Sequence, residues 1–212
     1  MVKLEKFVFN PFQVNTYVLS DGSGQGYIID PACYDENEKK ILISYVKNNG
    51  LTIKAIINTH CHVDHILGVE YVREQLNTTF FCSEEEQFLI DNSVAQGEFF
   101  GLTVKRPVKP DRYISEKSKL DINGKEIKII HVPGHSPGSL CFFLEDEKKL
   151  FSGDALFSGS IGRTDLPGGN YQLLVNGIRD KLLSMQDDIE VFPGHGPSTS
   201  VGNEKLTNPF LQ

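Results

Sequence analysis

The 212-residue chain lacks the features of a membrane or secreted protein. It contains no run of about 18 consecutive apolar residues, the length that a membrane-spanning helix needs. Its first residues, MVKLEKFVFNPFQ, carry charges and a proline where a secretory signal would be apolar. We therefore expect a cytoplasmic protein that has no membrane partner.

Positive charge is also scarce. The chain has 21 Lys and Arg residues against 28 Asp and Glu residues, which gives a formal net charge of -7. Phosphate backbones repel such a chain, so we expect no nucleic-acid partner. Composition does not indicate an oligomeric state, and a monomer or a small homo-oligomer is expected.

The four cysteines, at 33, 61, 82 and 141, include no CxxC pair. This spacing makes a structural zinc knuckle an unfavourable interpretation. In a reducing compartment these residues are expected to be free thiols, mostly buried as small apolar groups.

The chain shows no internal repeat, low-complexity segment or flexible linker, so we expect one domain over residues 1–212. Short apolar or β-rich runs at both ends predict strands, with helices between them. This order predicts an α/β fold of two sheets packed face to face with helices outside. Residues 97–112 lack clear periodicity and are expected to form a lid or binding loop. Helices are predicted at 35–50, 64–76, 84–93 and 171–185.

Three of the six histidines lie in the segment THCHVDH, together with an aspartate. His60 and His62 are two positions apart in an extended segment, so their side chains project to the same side. Asp64 and His65 follow where the next helix begins. Imidazole and carboxylate groups suit zinc, iron or manganese. The alternative, a helix cap at Asp64 beside exposed histidines, is disfavoured because more potential ligands follow.

Three later glycine turns each carry one ligand-type side chain after an apolar strand. They are PGH at 133–135, SGD at 152–154 and PGH at 193–195, and they supply His135, Asp154 and His195. Strand ends at one edge of a sandwich meet in space. Five histidines and two aspartates would suffice for two metal ions that share a bridging group.

Four other reactive residues are expected to have structural roles. Cys61 could be a nucleophile beside a histidine base, but alternation directs it away from His60 and His62. His131 is expected to be structural, because Pro133 makes a helical metal pair with His135 unfavourable. Ser136 and Ser139 do not form a GxSxG elbow and are expected to bond within their turn.

THCHVDH resembles the THxHxDH motif of the metallo-β-lactamase superfamily, and PGHSPGS, SGDALF and FPGHGPST resemble its later ligand motifs, in order. Within the superfamily the chain is similar to the glyoxalase II (hydroxyacylglutathione hydrolase) group. GRTDLP and the terminal NEKLTNPFLQ resemble its short bacterial members. The resemblance implies an αββα four-layer sandwich with two mixed sheets and helices outside.

The resemblance also implies a binuclear metal centre, with zinc expected and iron or manganese as alternatives. Asp64 and Asp154 would be the catalytic carboxylates: Asp154 fixes the ion separation and Asp64 steers the attacking hydroxide. The first ion would be held by His60, His62 and His135, the second by Asp64, His65 and His195, and both by Asp154.

The implied activity is hydrolysis of S-acylglutathione-type thioesters, such as S-lactoylglutathione, by a hydroxide that the two ions share. The alternatives are a mononuclear-iron persulfide dioxygenase and a lactone or β-lactam hydrolase. The PGHG motif at 193–196 favours the hydrolase over the dioxygenase.

The larger glyoxalase II enzymes grip glutathione through a C-terminal helical extension, and this chain ends at Gln212. The substrate-binding residues of this chain therefore cannot be inferred from those of the larger enzymes. Lys105 and Arg106, in the irregular segment, could meet the carboxylates of the thiol carrier, or they could belong to a solvated loop. Arg163 is a further candidate contact, although an ion pair within its own loop is the favoured interpretation.

Overall fold

The computed structural model describes all 212 residues, and the chain divides into two compact units, Met1–Ile114 and Ser115–Gln212. Each unit contains a six-stranded mixed sheet and its own helices. No helix combines the length and the apolar character that crossing a membrane requires. The single domain over residues 1–212 stays a prediction.

The sheet of the first unit follows the order of the chain. Its first three strands pair antiparallel, and the third to the sixth pair parallel. Carboxyl ends of neighbouring parallel strands lie at the same edge of a sheet, so the residues after the third and fourth strands come together. The strands are β1 (Lys3–Phe9), β2 (Val14–Ser20), β3 (Gln25–Ile29), β4 (Thr52–Ile57), β5 (Phe80–Cys82) and β6 (Arg112–Tyr113).

The helix predicted at 35–50 is α1 (Glu36–Asn48). Asp35 caps its start by accepting hydrogen bonds from the amides of Asn37 and Glu38. The Glu38 carboxylate reaches back to the amide of Asp35, which completes a capping box. Its buried face packs on the core of the first unit.

The prediction of a single helix at 64–76 is wrong in one respect. The structure has two helices there, α2 (Val63–Ile66) and α3 (Val69–Leu76). The amide of Gly68 donates to the carbonyl of Pro31, at 2.8 Å, instead of continuing the helical ladder. A Cβ atom at Gly68 would lie 2.5 Å from Cys33 Sγ. The break therefore follows from close packing against the segment after β3.

The helix predicted at 84–93 is a 3₁₀ turn at Glu84–Glu86 followed by α4 (Gln87–Asp91) and α5 (Ser93–Phe99). α5 extends into the segment that was predicted to be irregular from residue 97. The amide of Leu102 donates to the carbonyl of Gly97, and residues 102–111 form no further helix or strand.

The sheet of the second unit has the spatial order β14-β13-β10-β9-β8-β7, and only its β10–β13 pair is parallel. A separate two-stranded hairpin is formed by β11 and β12. The strands are β7 (Leu120–Ile122), β8 (Lys125–His131), β9 (Leu140–Leu144), β10 (Lys149–Gly153), β11 (Leu156–Phe157), β12 (Ser160–Ile161), β13 (Glu190–Pro193) and β14 (Thr199–Ser200).

Two helices belong to the second unit. The helix predicted at 171–185 is α6 (Tyr171–Gly177), which continues into a π-helical turn at Ile178–Leu182. The sequence analysis did not predict α7 (Val201–Thr207). Ser200 caps α7 by accepting from the amide of Asn203, a short-range signal that was present in the sequence.

Candidate metal centre

The first cluster consists of His60, His62, Asp64 and His65. His60 and His62 lie in the turn between β4 and α2, and Asp64 and His65 lie in α2. The ring centroid of His60 is 5.0 Å from that of His62 and 4.1 Å from that of His65. Nε2 of His65 lies 3.8 Å from Oδ2 of Asp64. The turn and the start of α2 thus bring together the three imidazoles and the carboxylate of the THCHVDH segment.

Two asparagines hold this turn in place. The side-chain amide of Asn58 donates to the carbonyls of His60 and His65, at 3.2 and 3.0 Å. The side-chain amide of Asn10 donates to the carbonyl of Asp64, at 2.9 Å. Both asparagines are buried, so the backbone that carries the first cluster is fixed by bonds shielded from water.

Asp30 is a buried residue of the site that the sequence analysis missed. Its carboxylate accepts from the amide and the hydroxyl of Thr59, at 2.7 and 2.6 Å. Its Oδ2 also lies 3.0 Å from Nδ1 of His65. A charged residue directly after the apolar strand GYII was the available signal, because a buried carboxylate needs such partners.

Ligand-type atoms of Asp30, His60 and His65 also lie within 4.8 Å of one another. We interpret this group as a hydrogen-bond network and not as another metal site. Nδ1 of His60 lies 3.1 Å from the Thr59 hydroxyl, which itself donates to Asp30. When Nδ1 of a histidine is the donor, the ring presents the lone pair of Nε2 to a metal.

The second cluster consists of His135, Asp154 and His195, which follow β8, β10 and β13. Oδ2 of Asp154 lies 3.6 Å from Nε2 of His135 and 3.4 Å from Nε2 of His195. These distances are long for hydrogen bonds. Two donor atoms on one tetrahedral cation, with bonds near 2.1 Å, are separated by about 3.4 Å. The second cluster therefore has the spacing of metal ligands.

His135 is oriented by the GRTD segment. Its Nδ1 lies 2.8 Å from the carbonyl oxygen of Arg163, so that Nδ1 donates and Nε2 faces Asp154. A Cβ atom at Gly162 would lie 1.9 Å from the carbonyl of Asp154 and 2.9 Å from Nδ1 of His135. Only glycine allows this close approach.

The Arg163 side chain forms the ion pair within its own loop that was the favoured interpretation. Its Nε and one terminal nitrogen each donate to the Asp165 carboxylate at 2.7 Å. This hydrogen bond, first among its causes, lowers the pKa of Asp165 to about 2. Substrate contact by Arg163 stays a prediction.

The remaining reactive residues behave as structural groups. Burial, followed by a hydrogen bond with Cys82, raises the pKa of the Cys61 thiol, which disfavours it as a nucleophile. Nε2 of His131 lies 2.7 Å from the carbonyl of Pro137. The hydroxyls of Ser136 and Ser139 lie 2.7 Å apart, and the Ser136 amide donates to the Ser139 hydroxyl.

Lys105 and Arg106 line a cavity of about 340 Å³ in the first unit. One Arg106 nitrogen pairs with Glu70, at 3.3 Å, while the side chain remains largely exposed. The Thr103 amide donates to the Tyr34 hydroxyl and so anchors this segment beside α1. None of the metal-ligand candidates lines this cavity. Its other walls are formed by Tyr34, Lys39, Ile66, Leu67, Glu70, Tyr71, Glu74, Ser93, Thr103, Val104 and Val108.

Comparison with known protein families gives one match that spans most of the chain. The matching family is described as the metallo-beta-lactamase superfamily, and the match covers residues 9–195. All seven metal-ligand candidates lie within that range.

Two curated relatives match over nearly their whole length. The chain is 35% identical over 212 residues to the hydroxyacylglutathione hydrolase GloC of Haemophilus influenzae, covering 99% of this chain and 98% of the relative. It is 36% identical over 211 residues to the probable metallo-hydrolase YqgX of Bacillus subtilis, again covering 99% and 98%.

Two solved structures resemble the chain throughout. The BLEG-1 B3 metallo-beta-lactamase has a TM-score of 0.91 and 34% identity, with coverage of 99% of this chain and 100% of that one. TTHA1623, solved in a di-iron-bound form, has a TM-score of 0.87 and 35% identity, with coverage of 98% and 100%. The fold inferred from the sequence motifs, with mixed sheets and helices, is confirmed.

Proposed function

Because the chain belongs to the metallo-β-lactamase superfamily, we propose that its first and second clusters together hold two divalent cations and hydrolyse S-acylglutathione-type thioesters. The family and the relatives identify the chain as a metal-dependent hydrolase.

The proposed ligands divide between two ions. His60, His62 and His135 would hold the first ion, Asp64, His65 and His195 the second, and Asp154 both. The observation that carries this assignment is the position of Asp154, whose Oδ2 lies within 3.6 Å of Nε2 of both His135 and His195. One carboxylate oxygen beside two imidazoles is the arrangement that a bridging ligand needs.

The donor chemistry fits transition-metal ions. Asp30, Thr59 and the Arg163 carbonyl face Nδ1 of His65, His60 and His135, which directs Nε2 of each ring to a metal. Nitrogen and oxygen donors of this kind accept zinc, iron or manganese. Zinc is the metal we propose first. The di-iron form of TTHA1623 supports iron as an alternative.

Two bound cations would supply hydroxide at neutral pH, because they lower the pKa of water to about 7. Asp154 would hold both metal positions in register, and Asp64 would orient the attacking group by accepting its hydrogen bond. A thiolate leaving group has a conjugate acid of pKa about 8.5, so it departs without protonation. The site then needs no general acid.

The name of GloC supports the thioester substrate class. The BLEG-1 likeness supports a second candidate, hydrolysis of β-lactams. Cleavage of a β-lactam releases an amine, whose nitrogen must be protonated as the bond breaks. The thioester reaction has no such requirement, and we place it first for that reason.

Lys105 and Arg106 are proposed to contact the carboxylates of the thiol carrier from the rim of their cavity. No carboxylate lies within ion-pair distance of Lys105 in this acidic chain, so its ammonium is available for a ligand. Lys105→Ala with Arg106→Ala should raise KM for S-lactoylglutathione and leave kcat unchanged. Lys117→Ala with Lys119→Ala, which removes the same charge elsewhere, is the control. An unchanged KM would assign the two cations to a solvated loop.

The test of the proposed function is a substrate panel with the zinc-loaded protein. The panel compares kcat/KM for S-D-lactoylglutathione, a homoserine lactone, a cephalosporin and glutathione persulfide. An oxygen electrode measures oxygen uptake with the persulfide. We expect the thioester to be cleaved with the highest kcat/KM, and Asp154→Ala to abolish this activity. Preferred cleavage of the lactone or the cephalosporin, or oxygen uptake with the persulfide, would contradict the thioesterase assignment.

A further inference from the structure

The NEKLTNP segment near the C-terminus contains a fully buried carboxylate, Glu204 in α7. Its Oε1 accepts from the Thr199 hydroxyl and the Asn203 side-chain amide, at 2.6 and 2.9 Å. Its Oε2 accepts from the Gly159 amide and the Asn208 side-chain amide, at 2.9 and 2.8 Å. Burying a carboxylate is costly, and here four hydrogen bonds repay the desolvation.

These bonds tie α7 to the β11–β12 hairpin. Glu204 holds the amide of Gly159 at the hairpin turn, and the Asn208 side chain donates to the carbonyl of Ser160, at 3.0 Å. The hairpin has only two residues in each strand. So short a hairpin has little stability of its own, and its position depends on neighbouring elements. Leu156 and Ile161 are buried in the core of the second unit, and α7 holds the turn of the hairpin.

Both ends of the hairpin reach the second cluster. At one end, the Phe157 ring packs edge-on against the His195 ring, with centroids 6.1 Å apart. At the other end, β12 leads through Gly162 to Arg163, whose carbonyl accepts from Nδ1 of His135. A displacement of the hairpin would therefore shift the supports of His135 and His195 together.

We propose that Glu204 and Asn208 are positioning residues for His135 and His195, acting through the β11–β12 hairpin. This inference rests on the metal-binding role proposed above for the two histidines. It assigns a role to the NEKLTNP segment, which neither cluster uses directly.

The test uses the full-length protein loaded with cobalt(II), whose visible absorption reports ligand geometry, and measures metal affinity by competition with a chelator. Glu204→Gln keeps the size of the side chain but turns one acceptor into a donor that faces other donors. Asn208→Ala removes the bonds from its side-chain amide to the Ser160 carbonyl and to the Glu204 carboxylate. We expect both variants to change the cobalt spectrum and to weaken affinity roughly 10-fold, the lower end of the effect of outer-sphere residues on metal sites.

Thr207→Ala is the matched control, because Thr207 bonds only to the Asn203 carbonyl within α7. It should leave both the cobalt spectrum and the metal affinity unchanged. Phe157→Leu tests the other end of the connection if Glu204→Gln does not fold, and it should also change the spectrum. Variants with a lower melting temperature but the wild-type spectrum and affinity would overturn the inference.

Failure of the inference is distinguishable from failure of the proposed function. A wild-type protein that binds cobalt with a spectrum sensitive to Glu204→Gln supports the inference even if no thioester is cleaved. A wild-type protein that binds no cobalt overturns the metal centre, and the inference with it.

Discussion

Nδ1 of His65 lies 3.0 Å from Oδ2 of Asp30, and both side chains are almost completely buried. A carboxylate in this position fixes the tautomer and the orientation of a ligand histidine and makes the ring a stronger donor. Asp30 also accepts from Thr59, which contacts His60, so one carboxylate supports two members of the first cluster.

Asp30→Asn should weaken metal binding by about 10- to 100-fold, the range measured for such supporting residues. The physical reason is that an amide cannot accept all the hydrogen bonds that the carboxylate now accepts. Zinc affinity, measured by competition with a chromophoric chelator, checks this prediction. Asp146→Asn, a surface carboxylate 3.7 Å from Lys125, is the control. Equal affinities of both variants and wild type would contradict the supporting role of Asp30.

Gly162→Ala should destabilise the protein by about 1–3 kcal/mol, the usual cost of overpacking. The added methyl group would lie 1.9 Å from the Asp154 carbonyl, so the backbone beside His135 must move. Gly22→Ala is a matched control, because no atom lies within 4 Å of its added Cβ. Urea unfolding measures both variants. If the two glycines gave the same change in unfolding free energy, the close approach at Gly162 would not exist in solution.

The four cysteines should react slowly with thiol reagents while the protein is folded. All four are free and buried, and burial raises the pKa of Cys33 and Cys141 to about 12. At about pH 8 the thiols of Cys33 and Cys141 stay protonated, and the thiolate is the reactive form. Ellman's reagent should therefore detect four thiols only after unfolding. Rapid reaction of the native protein would show that at least one cysteine is accessible.

The Asp165 carboxyl should titrate near pH 2 in the folded protein, against 3.8 as its ordinary pKa, because Arg163 donates to it. A lowered pKa means that the pair stabilises the fold above the ordinary pKa, and that this stabilisation is lost as pH falls through about 2. The effect is small because the pair is exposed to water. NMR titration of the side-chain carboxyl carbon measures the midpoint. Arg163→Gln should return it towards 3.8, and a wild-type midpoint already there would rule out the pair.

The sequence predicted most of the elements, because apolar periodicity and capping residues act locally. The prediction failed where long-range contacts determine the backbone conformation. At Gly68 the amide donates to the carbonyl of Pro31, and the predicted helix is broken there. The metal-ligand candidates were recognisable because each lies in a short sequence motif. One motif is the histidine-rich segment and the other three are glycine turns. The supporting roles of Asp30 and Glu204 were not recognisable, since each depends on partners distant in sequence or on a hairpin that no local pattern indicates.

Elemental analysis of the purified protein, after incubation with zinc and removal of loosely bound metal, counts the ions that the two clusters hold. We expect two zinc ions per chain. A plateau at a single ion, or no retained metal, would contradict the proposal that the first and second clusters form a binuclear centre.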